Sequence, residues 1–427
     1  MSLPVQAGVV IERLDLPGAV ETTLNFNADL LAKQSQLQAD QENIAQAKAK
    51  ILPNIRLNGN VGYGDYKVNG VSGVEDRYQR VSVAVVQPLY AQRTFLGVDR
   101  AEMGVAAATT QFELDQNTKT LELIQAYLEF LKFSRLHEIS QLELQDHQVR
   151  VDRIQAMLER GLATKMDLLE ANSTFDILRA NALQVESDMR IRKVRLQQLL
   201  GSPVNQLDAI NEQLWQRSAE IVGQSFWFAT AFANHPSLRL AQQQQEVARI
   251  DIQTAKAGYQ PELLLRAEIS DSETLETSIE GSQKIQLELS FPLYEGGDTD
   301  SKVRQSRAVL NSRDYQVADR QAFLRVKLEE TFARMQGNLA KIAALNESVE
   351  SSRAYLDAAQ KGLSYGLRGV FDVLEAKARV YDARKEVTVE IYDNLLSQFE
   401  FLYLIGRLQP QVVRQYLQED FVTTSLR

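Results

Sequence analysis

Between Ser282 and Phe291 the side chains alternate in character. Ile285, Leu287, Leu289 and Phe291 fall on one side of an extended chain, with Lys284, Gln286, Glu288 and Ser290 on the other. A period of two belongs to a strand and is of no use to a helix. Pro292 and Gly296-Gly297 end the strand, and a very long helical pattern follows. A short strand with one charged and one apolar face, joined directly to such a helix, needs water on one side and grease on the other. A lipid-facing wall around a wet pore supplies both.

The stretch has a counterpart. Gln87-Pro88-Leu89-Tyr90 resembles Phe291-Pro292-Leu293-Tyr294, and Gly161 with Asp167-Leu168-Leu169-Glu170-Ala171 resembles Gly366 with Asp372-Val373-Leu374-Glu375-Ala376. Leu200-Gly201 likewise resembles Ile405-Gly406. Pro292 lies 204 residues after Pro88, Gly366 lies 205 after Gly161, and Gly406 lies 205 after Gly201. Landmarks held in one register over so long a span indicate an internal duplication. The expected organisation is an N-terminal segment (1–26), a first repeat (27–201), a connecting segment (202–233), a second repeat (234–408) and a tail (409–427). The connecting segment holds Trp215 and Trp227 and is expected to pack on the outside of the helices. The tail is expected to be polar and partly mobile.

Each repeat opens with a medium helix, about 27–51 and 236–257, that stops before Pro53 or Pro261. Two strands follow, at 54–66 and 78–90 in the first repeat and at 262–270 and 282–293 in the second. Polar loops at 67–77 and 271–281 separate them. Ile55, Leu57, Val61 and Tyr63 share a face, as do Val81, Val83 and Val85, and Leu263, Leu265, Ala267 and Ile269. Strands of about 9–11 residues can cross a bilayer when tilted. Long helices are expected at 94–159 and 298–363, returning at 165–200 and 369–406. Leu324, Leu328, Phe332, Met335, Leu339, Ile342 and Leu345 step by three or four, marking a packed stripe. The fold class is therefore mainly α with a small β part, built from a duplicated strand-strand-long-helix-pair unit.

Composition narrows the function. Only 21 Gly and 9 Pro in 427 residues favour long helices over a loop-rich β fold. A net charge of −9 speaks against nucleic acid as a partner. No stretch reaches the roughly 20 apolar residues of a spanning helix, so a membrane would have to be crossed by strands. The chain has no Cys, which removes disulfides, thiolate metal sites and a lipidated cysteine from this sequence. No signal-peptide pattern opens it, and Met1-Ser2-Leu3 reads as an added start on a processed chain. No P-loop, His-Glu-x-x-His or Gly-x-Ser-x-Gly pattern occurs, so neither enzyme nor cofactor is expected. His137 and His147 do not share a helix face, and exposed polar histidines are the simplest account of them.

Four strands cannot close a barrel, and open edges are not tolerated in hydrocarbon. Three copies would supply twelve strands, an even number within the range of outer-membrane barrels. A soluble four-stranded sheet on a helical bundle, acting as an elongated scaffold, is the alternative; an enzyme with a helical body is a third reading without motif support.

The strand exit Phe291-Pro292-Leu293-Tyr294 with Gly296-Gly297, the duplicated turn glycine with its acidic signature, and the Leu/Ile-Gly helix ends resemble the TolC family. The resemblance runs from about Asn27 to Leu408. It implies a homotrimer: a twelve-stranded outer-membrane β-barrel on a periplasmic α-helical coiled-coil tunnel. It further implies an exit duct of a tripartite efflux pump or type I secretion system in a Gram-negative bacterium. The implied partners are an inner-membrane pump, its periplasmic adaptor (membrane fusion) protein and outer-membrane lipid. Asp372 and Glu375 match the acidic ring at the periplasmic entrance, although acidic residues in a first helical turn also serve the helix dipole. Arg368 and Asp167 match a tip latch, with Leu363 departing from the tyrosine expected beside it; an exposed Arg in a turn is the plainer reading. Gly161, Leu162, Thr164, Gly366 and Leu367 match the turns that meet the adaptor, while the glycines also supply the positive φ a reversal needs.

Overall fold

A computed structural model of the chain describes residues 11–68, 71–220, 224–274 and 278–417. The elements are β1 (Ile11–Leu14), α1 (Leu16–Phe26), α2 (Ala28–Ala49), β2 (Asn54–Val68), β3 (Val71–Tyr90), α3 (Gln92–Glu159), α4 (Lys165–Leu200) and β4 (Val204–Leu207). After a 3₁₀ segment come α5 (Gln224–Asn234), α6 (Pro236–Lys256), β5 (Glu262–Thr274), β6 (Ser278–Ser290), α7 (Asp298–Ser364), α8 (Val370–Leu404) and α9 (Pro410–Leu417). The chain divides into two compact units. One comprises Met1–Ala32, Glu113–His235 and Gln321–Arg427; the other comprises Lys33–Phe112 and Pro236–Arg320. The repeat divides the chain by sequence and these units by packing, so each unit draws on both repeats.

The second unit holds the sheet. Its order is β2-β3-β5-β6, every neighbouring pair antiparallel. Leu57 faces Val83, Val83 faces Ile269, Leu265 faces Leu287 and Leu263 faces Leu289, so the apolar residues of all four strands share one face. That face is not covered: Leu57, Val61, Ile269 and Leu287 are open, and Ile285 is 80% exposed. A water-soluble sheet would do the reverse and hide its apolar side. On the other face Arg266 pairs with Glu288, and the Ser270 and Ser282 hydroxyls lie 2.8 Å apart.

The loops expected at 67–77 and 271–281 are largely strand. β2 runs to Val68 and β3 starts at Val71, while β5 runs to Thr274 and β6 starts at Ser278. Ladder hydrogen bonds come from the backbone, so polar residues extend a strand once its partner is in register. Of those expected loops, residues 69–70 and 275–277 lie outside the described residues. At its lower end β6 stops at Ser290, short of the expected residue 293.

The first unit is built on helix pairs. Leu324, Leu328, Met335 and Ile342 of the α7 stripe are buried, at the near-heptad spacing that lets long helices wrap lengthwise. The helix expected at about 27–51 is α2, and an unexpected helix, α1, precedes it; the two are separated at Asn27, which leaves the helical region at ψ 119°. The Asn27 side chain caps α2 by accepting from the backbone N–H of Asp29 (3.1 Å), and it donates to the Leu199 carbonyl (2.9 Å). The N-terminal segment contributes more than expected, because β1 pairs in parallel with β4. The Tyr127 hydroxyl on α3 reaches the backbone oxygens of Leu14 (3.1 Å) and Asp208 (2.8 Å), tying both strands to the helix. Trp227 is buried and meets the Phe401 ring edge-on at 5.2 Å. The expected mobile tail begins with α9, whose Val413 and Tyr416 are buried; residues 418–427 lie outside the described residues. His147 is buried and not the exposed histidine expected, because its helix position faces into the bundle.

Candidate functional site

The two helix reversals are built alike. After α3, Gly161 takes φ 71°, and the N–H of Leu162 returns to the Met157 carbonyl at 2.8 Å. After α7, Gly366 takes φ 70°, and the N–H of Leu367 returns to the Gly362 carbonyl at 2.8 Å. A left-handed residue closed by a bond back to the last turn is the usual glycine stop of a helix. A Cβ at either glycine would meet nothing within 4 Å, so backbone conformation alone demands Gly there.

The outgoing helices are capped by the acidic residues. Thr164 and Asp167 form a reciprocal capping box: the Asp167 N–H donates to Thr164 Oγ1 (3.2 Å), and the Thr164 N–H to Asp167 Oδ2 (2.7 Å). The bond from the Thr164 backbone, with its hydroxyl second, holds the Asp167 carboxyl below the usual range. In the other turn Gly369 stands where Thr164 stood, and only half the box survives. The Gly369 N–H donates to Asp372 Oδ2 at 2.8 Å.

Asp372 therefore has two occupations, since Arg368 also lies 3.7 Å from its other oxygen. Gly362 leaves room for the Arg368 side chain. Its Cγ lies over Gly362, where an added Cβ would stand 2.8 Å away. Glu375 is exposed and pairs with Arg379 at 2.7 Å. Both carboxylates are carried by a packed seam, in which Val373 and Ala376 of α8 bury against Ala359, with Leu356 and Leu363 of α7 alongside. Leu363 thus serves as packing at the position where the resemblance implied a tyrosine. Within one chain Arg368 meets Asp372, while Asp167 is engaged by the Thr164 cap. Leu162 and Leu367 are open to solvent, and so are Met166, Leu169 and Tyr365, which sequence reasoning left unmarked.

Sequence reasoning also missed a ladder of charges between α3 and α8. Lys132 pairs with Asp393 (2.9 Å), Lys385 with Glu143 (2.6 Å) and Lys377 with Asp146 (2.5 Å), and the Tyr381 hydroxyl donates to Asp146 (2.6 Å). Lys377, Tyr381 and Lys385 step by four, so they share one face of α8. That spacing was the available signal, but nothing in the sequence says which helix answers it. Burial alone would raise the Asp146 carboxyl; the hydrogen bonds from Lys377 and Tyr381 outweigh it and leave it lowered. His147 sits beside these groups, and burial followed by the Arg150 charge pushes its imidazole below the ordinary value. Among the described residues no group of three or more acidic or histidine side chains is placed to hold a metal ion.

The model of the family described as "Outer membrane efflux protein" matches residues 19–202 and 227–398. The chain is similar to the outer membrane protein TolC of Vibrio cholerae, 26% identical over 395 residues that cover 90% of this chain and 89% of that one. It is similar also to the alkaline protease secretion protein AprF of Pseudomonas aeruginosa, 24% identical with 91% and 83% covered. Its fold resembles the solved structure of the outer membrane protein VceC of Vibrio cholerae, with a TM-score of 0.78 at 16% identity, covering 92% of this chain and 96% of that one.

Proposed function

The chain belongs to the outer membrane efflux protein family, and on that footing we propose that it is an outer-membrane exit duct, working with inner-membrane pump components in efflux or type I secretion. The observation that carries the reading is the inverted sheet. Its apolar face is left uncovered, and its other face carries the Arg266–Glu288 pair. Such a sheet is stable only with acyl chains outside and water inside. Three copies would bring twelve strands and close the wall. The duct performs no chemistry and carries no energy source, so the pump supplies the drive.

At the periplasmic reversal, three copies of Asp372 and Glu375 would form a ring of carboxylates that favours cations. In the same ring Arg368 and Asp167 would act across neighbouring copies as a latch. The turns holding Gly161, Leu162, Thr164, Gly366 and Leu367 would present their exposed leucines to a periplasmic adaptor's helical tip.

The test is single-channel recording in planar bilayers. The purified protein should give stepwise conductance, and a protein that inserts without conducting would end the duct reading. Asp372→Asn with Glu375→Gln keeps an acceptor for the Gly369 N–H while removing charge. Cation preference should fall in that variant, and unchanged selectivity rejects the ring.

A further inference from the structure

The charge ladder between α3 and α8 runs antiparallel: Lys132 meets Asp393, Glu143 meets Lys385, and Asp146 meets Lys377. Of these rungs the last lies nearest the reversals, 15 residues before Gly161 and 11 after Gly366. Beyond it α8 buries Val373 and Ala376 against Ala359 of α7. The Lys377 rung is thus the last of the three that hold α8 to α3 before the end that bears Asp372 and Glu375.

This rung is built unlike the other two. One carboxylate oxygen takes two donors from α8, because the Lys377 ammonium (2.5 Å) and the Tyr381 hydroxyl (2.6 Å) both meet Asp146 Oδ2. Beside Asp146 on α3 stands His147, 5% exposed, whose Nε2 is buried without a hydrogen-bond partner among the described residues. Arg150, about one turn on, has its Nη1 buried in the same condition. The charges that act on His147 are Arg150 and Asp146 from α3 and Lys377 from α8. Further out, Arg153 bears on Arg150, while Arg384 and Glu143 bear on Tyr381.

With the imidazole neutral, the cations Arg150 and Lys377 share one carboxylate. A proton on His147 adds a third cation in a place that burial already makes unfavourable for charge. Asp146 is the carboxylate that acts on His147, and it is already engaged by α8. The new charge can be met by drawing Asp146 away from Lys377 and Tyr381, or by letting water into the seam. Both undo the rung.

We propose that His147 is a proton-operated release on the Asp146–Lys377–Tyr381 clasp: when it charges, α8 lets go of α3 at this rung, and the end that carries Asp372 and Glu375 is freed to move. Release of the clasp stands on the geometry of one chain; its consequence at the tip rests on the exit-duct reading.

The direction follows from where the proton is better held. Burial, then Arg150, keeps the imidazole below its ordinary value of about 6.5 while the clasp is closed. A released, hydrated His147 regains that value, so release gains as pH falls through it. Between the two values the ratio of released to clasped copies rises by up to about tenfold per pH unit. Asp146 and Tyr381 do not titrate in that window. Burial raises the Asp146 carboxyl, but the hydrogen bonds from Lys377 and Tyr381 bring it below its ordinary value, and burial with Asp146 pushes the Tyr381 hydroxyl up.

The absence of Cys makes the seam open to spin labelling. Gln145→Cys on α3 and Glu386→Cys on α8 are both exposed and flank the rung. Dilution with unlabelled chains keeps one labelled copy per assembly. Electron–electron double resonance at pH 7.5 and 5.5 then reads the clasped and released separations. The longer separation should gain several-fold at pH 5.5 with His147 in place and stay constant in His147→Gln, which keeps a polar side chain that does not titrate. Equal changes in the two proteins, or no change in either, overturn the release. Planar-bilayer recordings of the same pair test the tip: open time should rise at pH 5.5 only with His147 present. A seam that lengthens while the two proteins share one open time refutes the coupling to the tip. Absence of conductance from both proteins at either pH sinks the duct reading and leaves the seam to be judged by its separations alone.

Discussion

Replacing Lys385 by Met should cost far more than replacing Lys132 by Met, although both lysines sit between α3 and α8. The Lys385 ammonium lies 2.6 Å from Glu143, whose side chain is 4% exposed, and Lys385 itself is 28% exposed. Met keeps the aliphatic stem and removes the cation, which leaves a buried carboxylate unpaired. Breaking a buried pair from one side costs about 3–5 kcal/mol. Water reaches the lysine end, so about 2–3 kcal/mol is the reasonable figure here. Lys132 also loses a carboxylate partner at 2.9 Å, but Asp393 is 44% exposed and stays hydrated. Exposed pairs are worth about 0–1 kcal/mol. At about 2.1 cal/mol/K of unfolding entropy per residue, a chain of this length converts 2–3 kcal/mol into roughly 2–3 °C. Thermal unfolding in detergent at one scan rate measures it, with Glu143→Gln/Lys385→Met as the third variant. That double variant leaves no buried charge and should recover most of the loss. Equal shifts for the two lysine variants, or a double variant as weak as Lys385→Met, would refute the argument that burial of the carboxylate decides.

Other outcomes follow from single positions. His147 is held neutral by burial and by Arg150, while the unfolded chain binds its proton near pH 6.5. Its lowered folded value means that its contribution to stability is intact above about pH 6.5 and is lost as pH falls below that. His147→Leu should therefore flatten the decline in thermal midpoint between pH 7.5 and about 5.5; an unaltered slope rejects the assignment. On the sheet, Leu287→Arg places a charge on the lipid face at a cost of about 2–4 kcal/mol near the bilayer centre, whereas Gln286→Arg adds one to the wet face at little cost. Denaturant titration of the protein refolded into lipid vesicles should separate the two, and equal midpoints would contradict the facing of β6.

Much of the fold was legible because it is written in short periods. The alternation in β6 names its greasy side, and the stripe from Leu324 to Ile342 names the buried side of α7. Both depend only on neighbours a few residues away. The reversals were legible for the same reason, since Gly161 and Gly366 answer a local need for positive φ. The errors were of a different kind. The polar stretches at 67–77 and 271–281 looked like loops, because composition cannot show that a partner strand continues alongside. The pairing of β1 with β4, which lie far apart in sequence, left no mark in either strand. At the candidate site, the acidic residues could be placed on a first helical turn, but not the division of Asp372 between the Gly369 N–H and Arg368.

By itself, then, the sequence determined the kind of object: strands wet on one face, helices too long for an isolated core, two repeats in step and no cysteine. Each of these is a property of the chain within a turn or a strand, or a comparison of the chain with itself. The three-dimensional packing decided which distant segments answer one another. It set Glu143 against Lys385, Tyr127 against two backbone carbonyls, and β3 against β5 in a single register. A side chain's period tells which way it faces, whereas its partner depends on where a second element, a hundred residues or more away, is held by everything else it buries.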